Sequence, residues 1–476
     1  MGRSQLIVFI QKEVLSAFRD RTVIALAAVC FALMLFASYA GWQRFQSDQQ
    51  IRHAASERFE HEWEDQEANP HSAAHFGTYL FKEPSVLGVY DPGLNTFLGT
   101  TYRVEAHVQH ELNQAEIGET DINPRLGELS VAFVCQLLIP LLIFLLTFQS
   151  FSKERQSGTL RLLWVQGVPP ITVLLGKIGG IYTIVLLILL PIFALLAFPF
   201  ALEGTSLDLS LRYAAIAGVY LVYFFIITCI GVALSVWISN PRAALVCSMG
   251  IWLFWSVLMP RALVRLVDAE IPLPSRYEFD RNISRGYRQG LDQDGSSLER
   301  SKNYLAETLE KYGVDSVSQL PVNFDGLSMQ YGEDYNTKVY EHYAGDVESM
   351  LILQNDKLEL LSLLDPFVAV KQLSMGFAGT DYHHHLAFHK QAKSYRDGFI
   401  RVLNMDLAYS GSEYLSYDYK VGSEFFASME DFEFLPPLFK EAVGWHKGAL
   451  AVLIIWTGLV AGVVIPLTVR HLNKEL

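Results

Sequence analysis

Six apolar runs, each about as long as a bilayer is thick, constrain this chain more than any other feature. They are Thr22–Gly41, Leu129–Phe151, Val173–Phe200, Tyr213–Ile238, Ala243–Pro260 and Ala449–Val469. Lys177 is the one Asp, Glu, Lys or Arg among them. A hydrocarbon core of about 30 Å takes roughly 20 helical residues to cross. Inside it every backbone N–H and C=O must be satisfied within the segment, which favours helices. The expectation is an all-α membrane protein with six transmembrane helices, at 22–41, 129–151, 173–200, 213–238, 243–260 and 447–469. Composition agrees. Of 476 residues, 51% are hydrophobic and only 18% charged, where a soluble domain carries about 25% charged.

The remaining sequence falls into short connections and two long segments. Residues 1–21 place Leu6, Ile7, Ile10, Val14 and Phe18 on one helical stripe, with Arg3, Lys12, Glu13 and Arg19 elsewhere. This predicts an amphipathic helix at the membrane surface. Basic residues set the orientation. Arg3, Lys12, Arg19, Arg21, Lys153, Arg155, Arg161, Arg242, Arg470 and Lys474 all fall on one side of a six-span chain. That side, with both termini and the tail 470–476, is expected to be cytoplasmic. The two long segments, 43–128 and 261–446, lie opposite and are acidic: 6 Lys/Arg against 15 Asp/Glu in the first, and 18 against 29 in the second. The net charge of −13 excludes the basic face of a nucleic-acid binder.

Both long segments are expected to form mainly helical external domains. The first opens with a charged helical stretch, Gln49–Glu67, and turns loop-rich at Asn69-Pro70, Glu83-Pro84 and Asp91-Pro92-Gly93. The second contains a breaker-free run, Asp334–Leu364, stopped by Asp365-Pro366, and a helix capped at Thr380-Asp381 that runs to about Asn404. These predict an antiparallel helical hairpin. All four cysteines, Cys30, Cys135, Cys229 and Cys247, lie in apolar runs, so neither segment has a disulfide and both must be held by packing.

The connection after the second span reads SKERQSGTLRLLWVQGVPP, residues 152–170. It predicts a charged turn followed by a short amphipathic helix along the membrane, stopped by Gly167 and Pro169-Pro170. Together with Gly176-Lys177, the string KERQSGTLRLLWVQGV resembles the signature of ABC-2-type transporter permeases. The stretch LSMGFAGTDYHHHLAFHKQAKSYRDGF, 373–399, resembles a subfamily with a large uncharacterised periplasmic insertion. The resemblance implies a type V exporter-like fold, with 152–170 as the coupling helix that meets a cytosolic ATPase subunit through Glu154, Arg155, Gly158, Thr159 and Leu160. It further implies a second permease, identical or related, and export or extraction of a substrate across a bacterial inner membrane. A membrane lipid and a periplasmic protein are further expected contacts.

No cofactor is expected in the chain itself. A phosphate-binding loop needs GxxxxGK[ST]. The nearest string, Leu174 to Ile178, has Gly176-Lys177 without the hydroxyl residue, so ATP and Mg²⁺ are assigned to the partner subunit. A gradient-driven carrier buries ionisable residues at mid-membrane. The spans offer none there: Lys177 lies near one boundary and Glu203 beyond the third span. Asp381, His385 and His389 are spaced i, i+4, i+8 within a run that also holds His383 and His384. They could ligate a metal or form an ordinary polar face. Gly411-Ser412-Glu413 lacks the GxSxG of a nucleophile elbow, and Tyr414, Tyr417, Tyr419, Phe425 and Phe426 read as core or as a groove lining. The alternative to transport is a membrane-anchored sensor or scaffold whose external domains bind a partner.

Overall fold

The computed structural model describes residues 2–109, 129–197, 206–292, 294–412 and 418–474. The side chain of Arg3, together with Glu203, Glu413, Tyr414 and Tyr417, lies outside the described residues, as does the end of the first long segment. Among the described residues, six helices are long and apolar enough to cross a membrane. The fold is that of a mainly α-helical membrane protein.

A first helix, α1 (Gly2–Ala17), precedes α2 (Arg21–Glu64). The Asp20 side chain caps α2 by accepting from the backbone N–H groups of Thr22 and Val23. With no proline to stop it, α2 does not end at the membrane; it continues for 44 residues, about 66 Å. A short helix α3 (Pro70–Phe76) follows. Next comes an antiparallel pair, β1 (Thr78–Phe81) and β2 (Thr101–Val104), in the register Thr78 to Val104. This small sheet was not foreseen from the loop-rich sequence.

The bundle continues with α4 (Val131–Gln156), whose last turn, Ser152–Gln156, leads into α5 (Thr159–Val165). Then come α6 (Pro170–Leu196), α7 (Leu207–Trp237) and α8 (Pro241–Glu270). Asn240 caps α8 across the tight turn. The last span, α16 (Lys447–Asn473), is reached after the second long segment. Three spans contain a π-helical turn, at Val134–Leu138, Phe254–Leu258 and Val460–Val464, each followed within two residues by proline: Pro140, Pro260 and Pro466. Proline has no N–H and its ring presses on the carbonyl four residues back; a widened turn relieves both.

The second long segment contains α9 (Arg276–Gln289), α10 (Ser297–Tyr312), α11 (Phe324–Leu361), α12 (Pro366–Ala378), α13 (Tyr382–Tyr409), α14 (Ser423–Ala427) and α15 (Phe439–Trp445). Helices α11 and α13 run antiparallel. Their contacts pair Gln330 with Asn404, Glu341 with Lys393 and Glu348 with Lys390.

Two features differ from the sequence reading. The long segments share a core: Trp63, Ala73, Leu80, Tyr102 and Val104 of the first pack with Phe388, Phe399, Leu403 and Phe426 of the second. Ala68 and Val421 also form a backbone bridge. And α12 is not part of that domain core. Phe367, Val368, Val370, Leu373 and Phe377 are buried within the transmembrane core, against α7 and α16. Thirteen residues span about 20 Å, too short to cross a membrane and the right length for a re-entrant segment.

Candidate functional site

The two ends of the bundle carry different machinery. At the end holding α1 and the 152–170 connection, a glycine stripe on α6 receives α1. A Cβ at Gly176 would lie 2.3 Å from the Phe9 Cβ, and one at Gly180 would lie 2.5 Å from the Glu13 Cβ. Small residues let helix backbones approach in a membrane, where apolar burial alone drives little association. Phe9, not a member of the amphipathic stripe, is the buried contact, whereas Ile7 and Phe18 are exposed.

The approach brings charges together. Lys177, buried on α6, pairs with Glu13 at 3.0 Å and with Glu154 at 3.1 Å. Lys12 also pairs with Glu154. Glu154 therefore ties α1, α4 and α6 together. Arg155 Nη2 donates to the Val236 carbonyl at the end of α7. Gly158, in the left-handed conformation at φ 75°, makes the corner before α5, where a side chain would be strained. Gly158 and Thr159 are exposed and Leu160 is buried. The exposed apolar residues of α5 are Leu162 and Val165, at 62% and 81%, beside exposed Arg161. The set expected at the contact, Glu154, Arg155, Gly158, Thr159 and Leu160, does not include these two, which helical spacing places opposite Leu160.

At the other end the long segments meet the spans. Helix α11 carries exposed Leu353 and Leu360 near its end, and Leu363 and Leu364 follow, also exposed. The Leu363 carbonyl accepts from Trp456 Nε1 of α16 at 3.1 Å. Asp365 is wholly buried at the tip, beside Tyr223, midway along α7. Its Oδ1 caps α12 at the Phe367 N–H, and its Oδ2 has no hydrogen-bond partner among the described residues. The expectation of no carboxyl at mid-bundle is thus corrected: Asp365 is carried there by a segment that reads as external. A second carboxyl, Asp91, arrives from the loop between β1 and β2. Ser374 Oγ donates to Asp91 Oδ2 at 2.6 Å, Tyr220 Oη lies 2.8 Å from Ser374 Oγ, and Gln136 Nε2 donates to Tyr220 at 3.0 Å. Four separate elements are joined by that chain of side chains.

Above it lies a buried ionic node. Asp381 caps α13 through the His384 N–H, and its Oδ1 also meets His384 Nδ1. Its Oδ2 lies 2.7 Å from His446 Nε2, whose Nδ1 lies 2.8 Å from Glu359. Burial alone would lower the His446 pKa, but hydrogen bonds and charge from Asp381 and Glu359 outweigh it and push the group up to about 9. Asp381 is held well below the usual carboxylate range: burial opposes this, and the His384 and His446 contacts prevail. Gly376 makes room for the His446 ring, since a Cβ there would come within 2.2 Å of it. Arg212 of α7 ties the node to the bundle: its Nη1 lies 3.3 Å from His384 Nε2, while Nε donates to Asp208 and Nη2 to the Pro437 carbonyl.

The proposed metal trio is not assembled. Both Asp381 oxygens are taken up by His384 and His446; His385 is buried with its Nδ1 unpartnered among the described residues, and His389 packs edge-on against Tyr102 at 5.7 Å. Phe426 belongs to the shared core and Tyr419 donates to Asp406. A groove of about 500 Å³ between α2, β1 and the 425–434 stretch is lined by Arg52, Phe59, Trp63, Tyr395 and Phe432. An apolar recess of about 650 Å³ lies between α7, Phe377, Phe439 and α16.

Residues 276–435 match a domain of unknown function, DUF3526. Residues 107–272 match the ABC-2 family transporter proteins. No curated protein matches the chain. The first match begins just past the end of α8 and stops short of α15; the second covers α4 to α8 with the connection between them. Residues 107–272 are therefore an ABC-2 family transporter region, set within a chain whose described residues include six helices long and apolar enough to cross a membrane.

Proposed function

We propose that this chain is the membrane-spanning half of an ATP-driven exporter or extractor, working as a pair of permeases with two cytosolic ATPase subunits. The observation that carries the reading is the α5 surface. An exposed apolar patch, Leu162 and Val165, sits on a helix whose base is braced by the Lys12–Glu154–Lys177–Glu13 cluster. A braced helix transmits force to α4 and α6, where a floppy connector would absorb it. In this reading the α1 and α5 end is cytoplasmic, both termini included, and ATP with Mg²⁺ belongs to the partner. The long segments face outward across a bacterial inner membrane. The re-entrant hairpin would couple movement of α7 to the external groove, and the recess beside Phe377 suits an amphipathic or lipid-like cargo.

The test is co-purification of the ATPase from detergent extracts. Leu162→Asp with Val165→Asp is expected to abolish recovery of the ATPase, while the variant chain melts at the wild-type temperature. Undiminished recovery would rule out α5 as the docking surface. A sensor or scaffold that needs no ATPase would retain full function in the same variant.

A further inference from the structure

Three histidines outside every feature considered so far converge on one point. His71 and His75 stand one turn apart on α3, and His107 follows β2. His75 Nε2 lies 3.1 Å from His71 Nε2, and His107 Nε2 lies 3.4 Å from the same atom. One ligand atom from each residue lies within 4.8 Å of the others. Imidazole nitrogens bound to a tetrahedral first-row metal at about 2.0–2.1 Å stand about 3.3 Å apart, close to the spacings here.

The hydrogen bonds behind the rings decide which nitrogens carry protons. Asp334 Oδ1 receives Arg401 and accepts from Gln330 Nε2, so Gln330 Oε1 must face away from it. That oxygen accepts from Asn404 Nδ2, which leaves Asn404 Oδ1 to accept from His71 Nδ1 at 3.2 Å. His71 is thereby fixed with its proton on Nδ1 and a lone pair on Nε2. Glu333 Oε1 lies 2.8 Å from His107 Nδ1, and as a carboxylate it can only accept. The Nε2 lone pair of a neutral His107 then points at the Nε2 lone pair of His71. Two facing lone pairs at 3.4 Å repel unless a cation lies between them. An amide oxygen behind the His71 ring and a carboxylate behind the His107 ring are also the arrangement that orients metal-bound histidines.

His107 is held for this purpose at a cost. Its φ of 64° is left-handed, a conformation shared among the described non-glycine residues only by Asp292. Such strain persists where the surroundings enforce it. Here Glu333 takes both the backbone N–H and the ring of His107, and Asn336 donates to its carbonyl.

We propose that His71, His75 and His107 form a site for a divalent first-row transition metal, with Asn404 and Glu333 as orienting partners. His75 and His107 are exposed, so a coordination position remains open to solvent and the ion exchanges. Imidazole donors suit Zn²⁺, Cu²⁺, Ni²⁺ and Co²⁺. The ion would pin the first long segment onto α11 and α13. Glu333 and Glu359 are 26 residues apart on α11, so the site stands roughly 39 Å from the membrane-facing node.

The experiment uses the full-length chain in detergent, purified without a polyhistidine tag and stripped with EDTA. Zn²⁺ is titrated calorimetrically, and Co²⁺ is followed by visible absorption. One Zn²⁺ per chain is expected, with a four-coordinate Co²⁺ spectrum and a Zn²⁺-dependent rise in melting temperature. His75→Ala with His107→Ala should weaken binding by about 100-fold or more, while His385→Ala with His389→Ala leaves it intact. His107→Ala also removes the contact to Glu333, so His75→Ala alone, at an exposed ring, is the control: it should weaken Zn²⁺ binding while its melting temperature in EDTA equals the wild type. Absence of a stoichiometric site, or binding unaffected by the first pair, would overturn the proposal. A protonated His107 bridging to His71 would instead give a pH-dependent melt insensitive to Zn²⁺.

Discussion

His446 shows how a single side chain ties stability to pH. Its pKa is raised to about 9 from an ordinary 6.5. Its ionic contribution is therefore complete below about pH 6.5 and is lost as pH rises through 9. Asp381 behaves in the opposite sense: its depressed pKa gives stability present above its ordinary range and lost in strong acid. The melting temperature should fall between pH 7 and pH 10, and His446→Gln should flatten that limb while lowering the melt at pH 6.5. An unchanged alkaline limb in the variant would show that the node is not charged as described. Arg396 offers a second test. It is wholly buried and bonds Glu333, Asp397 and the Glu105 carbonyl. Arg396→Ala strands Glu333 and should cost about 3–5 kcal/mol, read by denaturant melting of the detergent-solubilised chain. A loss within experimental error would mean that water replaces the guanidinium.

Among elements, the sequence signals differed in strength. The six spans were legible because a charge-free apolar run has few other solutions. The boundaries of α2 and α11 were not: α2 runs to Glu64 and α11 starts at Phe324, because a polar helix continuing an apolar or a packed one carries no mark at the junction. Helix α12 was read as ordinary domain structure. Its 13 residues are too few to signal membrane burial, and only its neighbours α7 and α16 reveal where it sits. The glycine stripe of α6 supplies a prediction at this scale. Gly176→Val with Gly180→Val drives Cβ atoms into Phe9 and Glu13 and should release α1. Protease cleavage near Phe18 should then accelerate several-fold; an unchanged rate would show that α1 is held by something other than α6.

For the whole molecule, the two long segments behave as one folding unit. The matched region 276–435 expressed alone would lose Trp63, Leu80, Tyr102 and Val104 from around Phe388, Phe399 and Phe426. It should therefore give a loosely packed helical state with weak thermal cooperativity and strong dye binding, whereas joining residues 43–109 to it should restore a sharp melt. A cooperative melt from 276–435 alone would separate the segments again.

Taken by itself, the sequence determined the membrane class, the number of spans, the connection at 152–170 and the absence of a phosphate-binding loop. Each rests on local composition or contiguous spacing, which folding does not rearrange. Tertiary structure alone decided the rest. It turned Glu154 inward to Lys177, carried Asp365 to mid-bundle, engaged Asp381 Oδ2 with His446, and drew His71 and His75 to His107. Those outcomes depend on which distant segments meet, and residues 23 or more apart in sequence carry no local record of their partners.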